Sequence, residues 1–448
     1  MTPPPASPTA SLPGLILAAP ASGSGKTVAT LALMRALADA GRRIAPAKVG
    51  PDYIDPAYHE AACGRPSVNL DPWAMRAETR AGLVADLAHD ADLALVEGVM
   101  GLYDGAADGR GATADLAAET GWPVVLVLDV KGQSASAAAV ARGFAGLRDD
   151  VRLAGVLLNR VGSPAHRALI EAGFAAHAPE IPVLGAIPRD ARLSLPSRHL
   201  GLIQARERPD LEAFIAEAAQ IIADAVDLDA LQAVARPARA PFADAGTPPL
   251  PPPGARIAIA RDDAFAFLYP HLTAGWRRAG AEILLFSPLQ NETPDQTADA
   301  VYLPGGYPEL HAGRLAAAST FKAGLRAAAD RGAWIFGECG GYMTLGEALI
   351  DADSVRHAMA GLLPVTTSFA QRRLSLGYRR AAVAADCALA PAGATLLGHE
   401  FHYATVKEEG PGEPLFRLQD ATGADRGAAG LVDGRVAGSF LHVVDRAP

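Results

Sequence analysis

The run ASGSGKT at positions 21–27 follows the strand-like GLILAAP and leads into the helix-like TVATLALMRALADAG. That order of strand, glycine-rich turn and helix is the one a phosphate group requires, because Gly23 and Gly25 let backbone N–H groups turn inward around it. Lys26 then reaches the β- and γ-phosphates of a nucleotide, and the Thr27 hydroxyl is a hard oxygen suited to Mg²⁺. Gly23, Ser24, Gly25, Lys26 and Thr27 are therefore the expected ATP contacts. Pro20 replaces the first glycine of the usual pattern, and Ala21 stands where partitioning ATPases sometimes carry a further lysine, so the loop is a variant.

Two acidic stretches follow predicted strands, and in open parallel sheets ligands gather outside the carboxyl ends of the strands. KVGPDYIDPAYH (48–59) sets Asp52 and Asp55 around Tyr53 and Ile54 in a proline-punctuated loop, while LALVEGVMGLYDG (93–105) ends an apolar strand on Glu97. Mg²⁺ takes one or two carboxylates plus the oxygens of a nucleotide. Glu97 is the first choice for that role and Asp52 the next; capping of nearby backbone N–H groups competes with it in both loops. Asp129, at the end of VVLVLDV, is a further candidate to face the nucleotide. Asn159, closing LAGVLLN, carries the amide donor and acceptor that an adenine edge needs, although a turn asparagine would look the same.

AWIFGECGGYMTLGEAL (333–349) joins an apolar strand to a helix through Gly337, Cys339, Gly340 and Gly341. A sharp turn of this kind exposes its central side chain as a nucleophile and aims the next backbone N–H, that of Gly340, at a developing oxyanion. The positive end of the helix is expected to lower the Cys339 pKa. VYLPGGYPEL (301–310) supplies a second backbone turn, from which Gly306 or Tyr307 would donate. The base must be a histidine brought near by folding: His442 in GSFLHVV, with His399 and His402 of GHEFHYA as competitors. Cys63 and Cys387 have no such setting and read as structural.

These residues need elements to carry them. A chain of 448 residues should divide into two domains, each burying its own interior. From Leu15, strand-like runs (15–19, 44–48, 93–97, 123–129, 153–158) alternate with helical stretches such as 27–40, which predicts an α/β domain with a parallel sheet covered by helices on both faces. Helices over 210–235 should close it. The proline- and alanine-rich stretch 236–254 reads as a linker. Beyond it a second α/β alternation begins at RIAIARD, with strands near 282–286, 300–303 and 333–336 and short β-like runs over 373–442. The expected division is a flexible tail 1–13, a nucleotide-binding domain 14–235, the linker 236–254 and a second domain 255–448.

Composition narrows the class of function. Half of the residues are apolar and a fifth charged, as in a globular protein. The longest apolar stretches, of about eight residues, fall short of the roughly 20 that cross a bilayer. The N-terminal segment lacks the basic residues and apolar core of a secretory signal, so a cytoplasmic protein is expected. A net charge of −9 without a basic run argues against nucleic acid as a partner. Three widely spaced cysteines fit neither a disulfide framework nor a zinc site.

The motifs ASGSGKT, KVGPDYIDP, VEGVMGLYDG, PGGYPEL, GECGGYM, GHEFHY and GSFLH, taken in this order, resemble the cobyrinate or hydrogenobyrinate a,c-diamide synthase family of cobalamin biosynthesis. The resemblance spans Gly14 to Val444. It implies a synthetase domain similar to dethiobiotin synthetase and a class I glutaminase domain. By that likeness ATP and Mg²⁺ would meet Lys26, Thr27 and Glu97, and Asp52, Tyr53, Ile54 and Asp55 would meet the nucleotide and a corrinoid acid. Cys339 would form a thioester with L-glutamine, activated by His442. One departure is Val444, where class I glutaminases usually carry a glutamate that orients the histidine. A homodimer is admitted as an assembly, with no sequence feature that requires it. Two other readings stay open at this point: an amidotransferase acting on other carboxylates of the ring, as in cobyrate synthesis, and a variant P-loop ATPase switch whose second domain is an interaction module.

Overall fold

A computed structural model describes residues 12–195, 197–198, 201–239 and 248–448. Most of the expected tail (1–11) and the middle of the expected linker (240–247) lie outside the described residues. The described residues form two compact units. Two short pieces from the first half of the chain, Trp73–Thr79 and Ala106–Asp108, group with the second unit.

In the first unit, strands β1 (Pro13–Ala18), β2 (Ile44–Val49), β3 (Val68–Leu70), β4 (Leu93–Glu97), β5 (Val124–Asp129), β6 (Leu153–Val161) and β7 (Val183–Pro188) pair in the order β3-β2-β4-β1-β5-β6-β7. All six pairings are parallel. Continuous apolar runs such as LALV and VVLVL suit strands buried on both faces, and Leu15, Leu17, Leu95, Val125 and Val127 lie in one core with Leu31, Leu33 and Leu37 of the helix Lys26–Asp39. The expected helical closure comprises two helices, Leu211–Ala225 and Leu228–Val234. Arg236–Pro237, assigned to the linker from composition, instead pairs antiparallel with β1. β4 lies between β2 and β1, so its last residue, Glu97, sits in register with Lys48 on one side and Leu17 on the other.

The second unit holds a ten-stranded sheet. Its strands are β8 (Arg256–Ala260), β9 (Glu282–Phe286), β10 (Ala300–Leu303), β11 (Trp334–Glu338), β12 (Ser375–Val383), β13 (Thr395–His402), β14 (Glu413–Asp420), β15 (Asp425–Asp433), β16 (Val436–Ser439) and β17 (His442–Arg446), in the order β9-β8-β10-β11-β16-β15-β14-β12-β13-β17. Pairing is parallel from β9 to β16 and antiparallel from there on. Only Phe440 and Leu441 separate β16 from β17, although four strands come between them in the sheet order; the sheet therefore curls back on itself. β17 is held from outside by Arg76 and Thr79: the Arg76 guanidinium lies 3.0 Å from the buried Asp445 carboxylate, and the Thr79 hydroxyl donates to it at 2.6 Å.

Between β11 and the short helix Gly340–Leu345 the chain turns at Cys339, whose φ of 45° and ψ of −99° are unusual for a residue with a side chain. The turn closes only because its neighbours lack side chains. A Cβ on Gly341 would fall 2.0 Å from the Leu303 carbonyl oxygen of β10. Gly341→Ala should therefore destabilise the second unit by ~1–3 kcal/mol, the usual range for overpacking, seen as an earlier denaturant midpoint; an unchanged midpoint would show that the turn has room to spare.

Candidate active sites

At the carboxyl end of the first sheet, the loop after β1 turns through Gly23 (φ 81°) and Gly25 (φ 85°) before the helix that starts at Lys26. A Cβ on Gly25 would lie 2.1 Å from the Asn159 amide nitrogen. Asn159 itself donates to the Ser24 carbonyl at 2.8 Å and accepts the Arg160 N–H at 2.9 Å, so its amide braces the phosphate turn. Arg160 pairs with Asp129 and donates to the Gly23 carbonyl at 3.0 Å. Beside Gly25 and Asn159 opens a cavity of about 230 Å³, walled by Val28, Ile187, Pro188 and Leu193.

Glu97 is the centre of this site and is fully buried. Its Oε1 accepts the Thr27 hydroxyl at 2.6 Å and lies 3.4 Å from Lys26 Nζ and 3.3 Å from Lys48 Nζ, while Oε2 meets His59 Nε2 at 2.8 Å. Burial penalises the carboxylate, but Lys48, Lys26 and His59 outweigh it and hold Glu97 well below the usual carboxylate range. Lys48 is buried too. Its Nζ lies 2.6 Å from Asp55 and 4.0 Å from Asp52 and donates to the Gly98 carbonyl at 3.1 Å. Burial opposes its charge; Asp55, Glu97 and Asp52 prevail and raise it. Lys26, by contrast, is lowered, first by burial and then by Lys48. Burial and the adjacent Asp52 push Asp55 up.

Asp52 takes the capping role considered for it. Oδ1 accepts the Ile54 and Asp55 N–H groups at 2.7 and 3.1 Å, capping the turn into the helix Asp55–Cys63, while Oδ2 faces Lys48. Tyr53 and Ile54 are half-buried in that turn. Lys48 and His59 were not singled out from sequence, although KVGPDYIDPAYH begins and ends on them. Ser67 completes the set, its hydroxyl 3.0 Å from His59 Nδ1.

At the carboxyl end of the parallel strands in the second unit, Cys339 occupies the turn after β11 and is buried. The Cys339 N–H donates to the Ser439 carbonyl at 2.8 Å, whereas the Gly340 N–H reaches the Cys339 sulfur. Gly306 comes close as well: a Cβ on Gly340 would lie 3.1 Å from the Gly306 nitrogen. Tyr307 is buried with its ring edge-on to Phe267, centroids 5.1 Å apart. The expected lowering of the Cys339 pKa is not found. Burial, followed by the Glu309 carboxylate, pushes the thiol well above its ordinary value, and a helix of six residues does not offset this.

His442 is brought to the same turns. Its Cε1 would lie 2.4 Å from a Cβ on Gly305, and its ring stacks on that of His399, centroids 5.0 Å apart and planes 10° from parallel. Burial, then His399 and His402, hold its pKa well below the ordinary histidine value. The competitors are engaged elsewhere: His399 Nε2 meets the Tyr269 hydroxyl at 2.9 Å, and His402 bonds the Ala404 carbonyl at 3.0 Å and stacks on Phe440. Sequence reasoning also missed Glu338, buried at the end of β11, whose Oε2 lies 3.9 Å from His442 Nδ1.

A nucleotide-binding turn in one unit and a cysteine elbow with a buried histidine in the other define a glutamine-dependent, amide-forming ligase of the P-loop class. Residues 15–203 match the CobQ/CobB/MinD/ParA nucleotide binding domain, and residues 256–447 the CobB/CobQ-like glutamine amidotransferase domain. Hydrogenobyrinate a,c-diamide synthase of Brucella anthropi is 56% identical over 96% of this chain and 98% of its own; that of Rhizobium meliloti is 55% identical over 96% and 99%. A solved glutamine amidotransferase is 19% identical, with a TM-score of 0.30 over 42% of this chain and 90% of its own. The chain belongs to the hydrogenobyrinate a,c-diamide synthase family.

Lys48→Met would leave Asp55 and Glu97 buried without their shared cation, a loss of about 3–5 kcal/mol for a broken buried pair. Without Lys48 both carboxyls bind protons more readily in the folded than in the unfolded chain, so the deficit should shrink as pH falls from 8 to 5. Urea unfolding of both proteins across that range checks the sign; a deficit that grows toward low pH would contradict it.

Proposed function

We propose that the protein uses ATP and glutamine to amidate the a and c acetate carboxylates of hydrogenobyrinic acid, or of its cobalt-bearing counterpart cobyrinic acid. One observation carries the reading: a single chain holds a phosphate turn set against a carboxylate cluster and, in its other unit, a cysteine elbow and a buried histidine that both meet the Gly305–Gly306 turn, in the sequence context of the diamide synthases. No helix among the described residues is long and apolar enough to cross a membrane, and the cytoplasm is the location we assign.

A carboxylate does not accept ammonia until one oxygen becomes a leaving group. In the synthetase site a corrinoid carboxylate oxygen attacks the γ-phosphorus of ATP, ADP departs and an acyl phosphate forms; ammonia then attacks the acyl carbon and phosphate leaves. Lys26 and the inward N–H groups of residues 23–27 offset charge on the transferring group, and the cavity beside Asn159 takes the adenine. The Thr27 hydroxyl and the Glu97 carboxylate, hydrogen-bonded at 2.6 Å, are hard oxygen donors of the kind that would hold Mg²⁺. When bound there, Mg²⁺ neutralises charge on the β- and γ-phosphates. Asp52 lies next to this position, and Tyr53, Ile54 and Asp55 face the corrinoid side. His59, fixed by Ser67, orients Glu97.

In the glutaminase site Cys339 attacks the glutamine carboxamide, with Gly340 and the Gly306–Tyr307 turn donating to the oxyanion. Burial keeps the thiol and the imidazole neutral at rest, so the thiolate forms only as His442 takes the proton during attack.

Cys339→Ala is expected to abolish synthesis from glutamine while synthesis from high ammonium persists, and Lys26→Ala to lose both. Mass spectrometry of the product should show two added amides per ring. Four amides would move the protein to cobyrate-type chemistry, and loss of ammonium-driven synthesis in folded Cys339→Ala would contradict separate sites.

A further inference from the structure

Val444 leaves the histidine without the glutamate that class I glutaminases place two residues after it, but a different carboxyl lies within reach. Glu338 closes β11 one residue before Cys339 and is 1% exposed. Its Oε2 lies 3.9 Å from His442 Nδ1, its Oε1 accepts the Val443 N–H at 3.1 Å, and the Tyr302 hydroxyl bonds the same carboxyl. The carboxyl thus binds the backbone of β17 one residue beyond the histidine it faces. The ring is fixed on its other sides by the parallel His399 ring and by close contact with Gly305.

We propose that Glu338 is the positioning residue of the glutaminase site: it orients His442 through Nδ1 and compensates the imidazolium formed when Cys339 gives up its proton. This rests on the Cys339–His442 reading above. The thiol proton passes to His442 Nε2 as sulfur bonds the carboxamide carbon of glutamine. The C–N bond then breaks, and His442 returns the proton to the departing ammonia. Water next cleaves the thioester to glutamate, and nothing is oxidised or reduced. A separation of 3.9 Å is an ion-pair distance rather than a hydrogen bond, and catalytic contacts commonly tighten only once substrate is bound and charge develops.

Charge on Glu338 is conditional. Burial pushes its carboxyl up to about 8, against the pull of Tyr302 and the Val443 N–H. The titratable groups around it are Tyr302 on β10, Cys339 next in the chain, and His442 on β17, with His399 on β13 and Tyr269 behind that ring. Below about pH 8 the carboxyl keeps its proton and lends no charge to the imidazolium; above it a carboxylate faces Nδ1. Glutamine-dependent turnover should therefore climb as pH rises through this region, while ammonium-driven synthesis, which bypasses His442, should not follow the same curve.

The test compares wild type, Glu338→Gln, Glu338→Asp and Cys339→Ala as full chains with ATP, Mg²⁺ and hydrogenobyrinic acid, measuring glutamate release and amide formation from pH 6 to 9. Glu338→Gln should lower kcat for glutamine by on the order of 10²- to 10⁴-fold, as loss of an orienting acid does elsewhere. KM for glutamine and ammonium-driven synthesis should hold, and the rise near pH 8 should vanish. Glu338→Asp should recover part of kcat and the pH-dependent rise. Wild-type kcat in Glu338→Gln, or a loss that leaves the pH profile unchanged, overturns the proposal. Glutamate release by Cys339→Ala would overturn the underlying site reading instead, and an inactive Cys339→Ala beside an unimpaired Glu338→Gln would reject only the role of Glu338.

Discussion

A carboxylate with no exposure to water is a severe demand on a fold, and in the first unit Glu97 is such a group. Its desolvation is tolerable only because Lys26, Thr27, Lys48 and His59 converge on two oxygens from three different places in the chain. That convergence is a statement about topology. β4 must lie between β1 and β2, in parallel, for the turn after β1 and the lysine of β2 to flank the end of β4. The carboxylate cluster and the strand order thus impose one another. On the nucleotide-site reading, the cations that Glu97 needs in order to stay ionised are also those that a phosphoryl group would meet.

The second unit solves the opposite problem. The two groups at its elbow are held toward their neutral forms: burial raises the thiol of Cys339 and lowers the imidazole of His442. On the glutaminase reading proposed above, such a pair would become nucleophilic only as the proton passes from thiol to imidazole. On that reading the low dielectric that holds both groups neutral would also strengthen each N–H aimed at the oxyanion.

Much of this was legible in sequence. Apolar runs located β1, β2, β4, β5, β6, β8, β10 and β11, because strands buried on both faces leave an uninterrupted signature, and β9, at the sheet edge and partly exposed, was found by its apolar run alone. β3, three residues long, and β7, interrupted by glycine, left too little pattern. The two turns on which the candidate sites are built were visible where local context announces them, as in ASGSGKT and GECGGYM. Lys48, His59 and Glu338 were not, since their roles depend on partners distant in the chain: His59 meets Glu97 across 38 residues, and Glu338 reaches the Val443 N–H across 105. The helix at the elbow was visible too, yet its expected effect on the thiol failed, because burial depends on what packs around the turn rather than on the turn.

The two-residue link between β16 and β17 has a bearing on how this family can vary. Alternate residues of a strand point to opposite faces, so adding or deleting one residue at Phe440 or Leu441 would turn the imidazole of His442 away from the elbow and carry Val443 from its bond to Glu338. Strand spacing leaves no slack to absorb the change. The segment between β12 and β13, the eleven residues 384–394, carries no residue of either candidate site. Length variation among descendants of this fold should collect in that segment and be purged from the link, a record of function kept in gaps rather than in residue identities.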